Sequence, residues 1–183
     1  TEYGTVYSLQ ELEDISHVCH EKGLPLFIDG ARLGFGLAAE GGEVTLKDIA
    51  RLADVFYIGG TKVGALFGEA VVVTNPALLK NFVPLVKQHG ALLAKGRLLG
   101  VQFEALFNDG LYFRIGEDTV KKAMKLKRVF EAGGFSPVID SPTNQQFFRL
   151  PNIVIDSLKN NVSFEMWGPR GESESTVRFV TGW

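Results

Sequence analysis

The sequence is poor in cysteine, methionine and tryptophan, and it carries no marked excess of charge of either sign. Its one cysteine, Cys19, has no partner within the chain. No intrachain disulfide framework is therefore available, and nothing points to an oxidising compartment. Nineteen Lys and Arg against 21 Asp and Glu give a net charge of −2. A dedicated nucleic-acid binder would show a basic excess instead. No apolar run reaches the length of a membrane span, and no signal-peptide pattern opens the chain. We therefore expect a cytoplasmic protein with neither nucleic acid nor membrane among its partners. Three histidines and one cysteine form no cluster of ligands, so no transition-metal site is expected. Methionine is also missing from position 1, which fits either a processed chain or part of a longer one.

What is present suits a packed domain. Of 183 residues, 45% are apolar and 22% charged, close to the globular average and enough for a sizeable core. Ser8 followed by Glu11 is a capping-box pattern. Leu9, Leu12, Ile15, Ser16 and Cys19 then fall on one helical face, and Gly23 is a natural stop. Thr5-Val6-Tyr7 is short and β-prone. Leu24 to Ile28 and Val55 to Ile58 are apolar runs without alternation, as in strands covered on both faces. Ala70 to Val73 is a third strand candidate. A helix follows the capping residue Thr45, and a long helical stretch covers roughly 77–108, with a break expected near Gly90. The order of these elements is that of an α/β layer protein.

The second half has a different texture. Val120, Ala123, Leu126 and Val129 recur at spacing three on a helix expected over about 117–132. Its lysines and Arg128 read as a solvated face, or else as an anion patch. Short β-like runs follow at 136–140, 145–150, 162–167 and 176–181, with a helix near 151–159. His17 and His20 fall on the polar side of the first helix and read as surface residues.

Two polar clusters end the first two apolar runs: Asp29-Gly30-Ala31-Arg32, and Gly59-Gly60-Thr61-Lys62-Val63-Gly64-Ala65. Open α/β sheets bind ligands beyond the carboxyl ends of their strands. A lysine there forms Schiff bases with carbonyl compounds, including pyridoxal phosphate. An aspartate keeps that cofactor's pyridine nitrogen protonated, and small residues let a flat ring approach the backbone. Singly, an Asp-Gly is a turn and a lysine in a glycine-rich loop is inert. A phosphate loop is not the reading, because the G-x-x-x-x-G-K-[ST] spacing is absent.

The runs Phe27-Ile28-Asp29-Gly30-Ala31-Arg32-Leu33 and Tyr57 to Ala70 resemble the threonine aldolase/β-eliminating lyase family. These are pyridoxal-phosphate enzymes of fold type I, the aspartate-aminotransferase fold. The resemblance takes in Thr1 to Tyr7, Leu93 to Gln102, Asp140 to Gln146 and Thr176 to Thr181, in family order. It implies that Lys62 bonds covalently to pyridoxal 5'-phosphate and that Asp29 pairs with its ring nitrogen. It assigns Arg32 and Arg178 to the substrate carboxylate, in keeping with the bidentate guanidinium fork. A surface arginine on a strand is the other reading of Arg178. Lys95 and Arg97 resemble a basic pair that reaches the cofactor phosphate of a neighbouring subunit, or else a solvated helix face. Asn144, Gln145 and Gln146 line a pocket or form a polar turn after Pro142.

The expected fold class is α/β: part of a fold-type-I large domain over 1–90, then a connecting helix and a small α+β domain over 91–183. The resemblance runs from the middle of the family's large domain onward. The phosphate-cradling loop and the ring-stacking histidine of the family match nothing in these residues. The chain alone is thus expected to bind cofactor weakly, to lack useful activity, and to depend on a missing N-terminal segment or on a second copy. For the whole protein the resemblance implies a lyase that cleaves a β-hydroxy amino acid to glycine and an aldehyde, in a homo-oligomer with sites at the subunit interface. The alternatives are a β-eliminating lyase of the same fold and a non-catalytic fragment.

Overall fold

Helix α1 (Leu9–Glu21) starts where its cap dictates. In the computed structural model, which describes residues 1–183, the Ser8 hydroxyl accepts from the Glu11 N–H at 3.2 Å, and the Glu11 carboxylate accepts from the Ser8 N–H at 2.8 Å. These bonds satisfy donors that the first helical turn leaves free. Leu12 and Ser16 are buried on its inner face. The chain then reaches β1, only Phe27–Ile28, shorter than the apolar run. Thr5-Val6-Tyr7 forms no strand. Short α2 (Leu33–Leu37) and α3 (Leu46–Leu52) follow, the second capped by Thr45 and Asp48 in a reciprocal pair.

Strand β2 (Val55–Gly59) lies between β1 and β3 (Glu69–Val73). It runs parallel to β1 and antiparallel to β3. The β1–β2 crossover carries α2 and α3, and these helices cover the sheet. Their core includes Phe35, Ile49, Phe56, Ile58 and Val63.

The stretch expected to be one broken helix is three pieces. A 3-10 turn spans Pro76–Leu79, then come α4 (Phe82–Gln88) and α5 (Arg97–Phe107). Asn81 and Gly90 separate them, at φ 59° and 69°, left-handed conformations that no helix interior accommodates. No residue from 76 to 105 is buried.

Helix α6 (Leu111–Ala132) joins the two halves and begins earlier than its spacing suggests. Tyr112, Val120 and Ala123 pack on the first core. Leu126 and Phe130 pack on a second core made by Phe148, Leu150, Ile155, Val177 and Phe179. The Phe130 ring stacks on Phe148 at 4.6 Å. Val129, expected on this face, is exposed. Lys121 and Lys122 pair with Glu117 and Asp118 at the surface, as a solvated face should. Lys127 departs from that pattern: its side chain is only 17% exposed and bonds Asp140.

The second sheet is wholly antiparallel, in the order β4 (Pro137–Ile139), β5 (Gln145–Pro151), β7 (Glu174–Val180), β6 (Glu165–Met166). Helix α7 (Asn152–Leu158) supplies Ile155 to its core. The architecture is mixed α/β, as expected. No helix is long and apolar enough to cross a membrane.

Candidate active site

Parallel pairing brings two strand ends together. Phe27 faces Val55 and Ile28 faces Phe56, so the residues that follow leave the sheet side by side. Asp29 and Gly30 come from one strand, Gly59 and Gly60 from the other. The backbones touch: the Gly59 N–H donates to the Gly30 carbonyl at 2.9 Å. A Cβ on Gly30 would lie 1.7 Å from the Tyr57 carbonyl oxygen, and one on Gly59 would lie 2.3 Å from that of Ala31. Only glycine permits this approach.

The turn bearing Lys62 is anchored from beneath. Val63 and Ala65 are buried, and their N–H groups donate to the Gly60 carbonyl at 2.9 and 3.0 Å. Glu69 accepts from the Gly60 N–H at 2.5 Å. The buried Tyr112 hydroxyl donates to the Gly59 carbonyl at 3.0 Å. Gln102 of α5 accepts from the Leu66 N–H at 2.8 Å and donates to the Phe67 carbonyl at 3.0 Å. Lys62 itself is exposed on this fixed turn, its amine in no ion pair.

Asp29 is exposed next to it, and its carboxyl titrates below the ordinary aspartate range. The Tyr57 hydroxyl beside it is the main cause, followed by the Ala31 N–H, which donates to it at 3.0 Å. The positive charges of Lys62 and Arg32 act in the same direction. Reciprocally, interaction with the Asp29 carboxylate pushes the Tyr57 phenol up to about 12. Tyr57 therefore stays a proton donor and Asp29 an anion throughout the neutral range. Arg32, half-buried at the start of α2, joins Asp29 on the wall of a cavity of about 340 Å³. Phe27, Leu33 and Leu37 make much of its remaining, largely apolar wall.

Arg178 sits elsewhere, on β7 in the second sheet. It is 9% exposed, so the reading of a surface arginine fails. Its guanidinium lies 4.6 Å from the centre of the Trp167 ring and donates to the Gln145 side-chain oxygen at 3.1 Å and to Glu165. Gln145 in turn donates to the backbone carbonyls of Thr1 and Glu2. The Thr1–Tyr7 segment thus lies between the two halves of the chain, with Thr1 also on the wall of the Asp29 cavity.

The structure gathers Asp29, Lys62 and Arg32, and connects Arg178 to them through Gln145 and the first residues. It does not draw in Lys95 and Arg97, which are exposed around the start of α5. Asn144 and Gln146 belong to a buried polar turn: Gln146 donates to the Ser141 and Thr143 carbonyls, and Asn144 to that of Thr181 at 2.9 Å. Sequence reasoning passed over Tyr57, Glu69, Gln102 and Tyr112. Tyr57 carried a signal, because a residue on the strand beside β1 and just short of the lysine turn must flank Asp29. Glu69, Gln102 and Tyr112 carried none, since each reaches the turn from an element whose position depends on the fold.

An ionised carboxylate can accept from a cationic donor, a primary amine can condense with a carbonyl, and a guanidinium can donate to a carboxylate. The Beta-eliminating lyase family model matches residues 1–149. The chain is 33% identical to the low specificity L-threonine aldolase of Pseudomonas aeruginosa over 160 residues, covering 87% of this chain and 46% of that protein. It superposes on the threonine aldolase of Leishmania major with a TM-score of 0.93 at 47% identity, covering 97% of this chain and 52% of that one. L-threonine-O-3-phosphate decarboxylase from Porphyromonas gingivalis shares the fold alone, with a TM-score of 0.62 at 15% identity over 98% of this chain and 57% of that one. The chain spans about half the length of the curated relatives it matches.

Proposed function

The chain belongs to the β-eliminating lyase family, and on that footing we propose that the whole protein is a pyridoxal-phosphate-dependent aldolase. Its substrate would be a β-hydroxy amino acid such as threonine, cleaved to glycine and an aldehyde. One observation carries the reading: an anionic Asp29 and an unpaired Lys62 amine stand on neighbouring strand ends whose backbones only glycine lets touch.

The residues present suit the cofactor. Pyridoxal phosphate, when bound, supplies the electron sink for the pair released as a Cα–Cβ bond breaks. Asp29 holds a negative charge for a protonated ring nitrogen, and the Tyr57 hydroxyl keeps it there. Lys62 would hold the cofactor through its Nζ, and as a free amine it could carry a proton. Arg32 and Arg178 orient the substrate carboxylate. Arg178 comes from the part we assign to a small domain, 91–183, so movement of that part against 1–90 would complete the site.

We assign Lys95 and Arg97 to the cofactor phosphate of a neighbouring subunit. Support for a homo-oligomer comes from the arm between residues 76 and 105. Leu78, Phe82, Val83, Leu85, Leu92 and Leu93 are all exposed there, as residues covered by a second chain would be. We place the protein in the cytoplasm.

A steady-state product assay of the whole protein with threonine tests the function. Aldehyde and glycine are expected. Ammonia and a keto acid without aldehyde would assign β-elimination instead.

A further inference from the structure

Arg178 has five N–H donors, and the structure uses them unevenly. Nη1 donates to Gln145 at 3.1 Å, and Nη2 donates to a Glu165 carboxylate oxygen. Nε is buried and donates to nothing. The ring of Trp167 covers one face of the guanidinium. A buried, unpartnered N–H on a cation is costly, and here it borders a donor that is already engaged. The Nε and Nη2 edge of a guanidinium is one of the two edges that grip a carboxylate with parallel bonds. Glu165 takes half of that edge and leaves the other half empty.

Glu165 is placed to do this and also to let go. It is the direct cross-strand partner of Arg178 on β6, a strand of two residues at the edge of the sheet. Its side chain is 62% exposed, whereas that of Arg178 is 10% exposed. The arginine is therefore fixed by Gln145 and Trp167, while the glutamate has solvent to swing into.

We propose that Glu165 is an internal competitor for the substrate carboxylate: it holds Arg178 in the unliganded protein and is displaced when the substrate arrives. The incoming carboxylate covers both Nε and Nη2, so it satisfies the donor that Glu165 leaves bare. Glu165 then sets substrate affinity as a positioning residue, without touching substrate. A substrate with a second carboxylate pointing towards β6 would meet the displaced Glu165 and be disfavoured. The inference rests on the reading of Arg178 as the substrate-carboxylate arginine.

Glu165→Gln keeps the size of the side chain and removes its charge. In the whole, cofactor-loaded protein we expect KM for threonine to fall about two- to fivefold, the range of a partly exposed ion pair, with no rise in kcat. Acetate has the carboxylate but no amine, and the Trp167 ring against Arg178 reports its arrival there rather than at Arg32. Its dissociation constant, followed through the tryptophan emission change that Trp167→Phe removes, should fall by the same factor. An unchanged or raised KM, or an unchanged acetate constant, overturns the proposal and makes Glu165 a support for Arg178. Arg178→Lys separates the two levels. If it raises KM tenfold or more while Glu165→Gln does nothing, only the competitor role fails. If it leaves KM unchanged, the reading of Arg178 fails and the competitor role falls with it.

Discussion

Two aspartates stand at opposite ends of the same pair of strands, and their surroundings differ in one respect. Asp29 follows β1 at the carboxyl end. Asp54 precedes β2 at the amino end and is buried. Both carboxyls are held below the ordinary range by donated hydrogen bonds. Asp54 accepts from the Leu26 N–H at 2.8 Å, from the Asn75 amide at 2.8 Å and from His20 Nε2 at 3.1 Å. Those partners come from three segments, and Asp54 ties them together. Asp29 accepts from its own loop and the next strand and still faces a cavity. A carboxylate whose acceptor capacity is spent is a rivet. One that is held ionised and left partly free is available for a ligand.

The Asp54 end also contains a serine and a histidine. The Ser16 hydroxyl lies 3.3 Å from His20 Nδ1. Its proton, however, goes to the Leu52 carbonyl at 2.7 Å, and the residue is 5% exposed. The row Ser16–His20–Asp54 therefore holds α1 against the sheet and presents no nucleophile to solvent.

Substitutions that act on turnover at one end and on stability at the other test this contrast. Lys62→Ala in the whole protein should cost turnover a factor on the order of 10³ or more, with the melting temperature of the cofactor-free protein unchanged because the side chain is exposed. Asp29→Asn should cost about 10²-fold in kcat, as for other groups that stabilise charge at a reacting centre, again with little change in stability. Asp54→Ala should reverse the pattern. Losing its bonds would destabilise the fold by about 2–4 kcal/mol in a denaturant titration, while the protein still folded keeps its kcat. Comparable losses of activity per folded molecule at Asp29 and Asp54 would erase the distinction.

Acid should expose the Asp54 rivet as well. Its folded value is depressed, so its contribution is complete above the unfolded aspartate value of about 3.9 and is lost as pH falls through the lower folded value. The stability gap between wild type and Asp54→Asn should therefore close below about pH 4. The smallest effect belongs to Gly59→Ala, where a methyl meets the Ala31 carbonyl and forces the strand ends apart. We expect about 1–3 kcal/mol of destabilisation and a weaker hold on the cofactor.

Legibility in the sequence followed the same divide. Asp29 and Lys62 were visible because polar residues closing apolar runs stand out, and the resemblance to a family then implied the roles proposed for them. The strand runs of the second sheet were visible from β-prone spacing, and α1 from its cap. The Asp54 rivet was not visible, because its partners lie in α1, before β1 and after β3. His20 looked like any residue on a polar helix face, and half of its side chain is indeed exposed. The stretch over roughly 77–108 reads as helical with a break near Gly90, because its apolar residues satisfy a helical period although most of them stay exposed, and Gly90 does interrupt it. The second division, at Asn81, rests on a positive φ of a residue that carries no such signal.

The central claim is that Lys62 bonds covalently to the cofactor at the strand end marked by Asp29. Borohydride reduction of the cofactor-loaded whole protein, followed by peptide mass mapping, tests it directly. The account expects the pyridoxyl adduct on the peptide containing Lys62, and its loss in Lys62→Ala. An adduct on another lysine, with Lys62 unmodified, would contradict it.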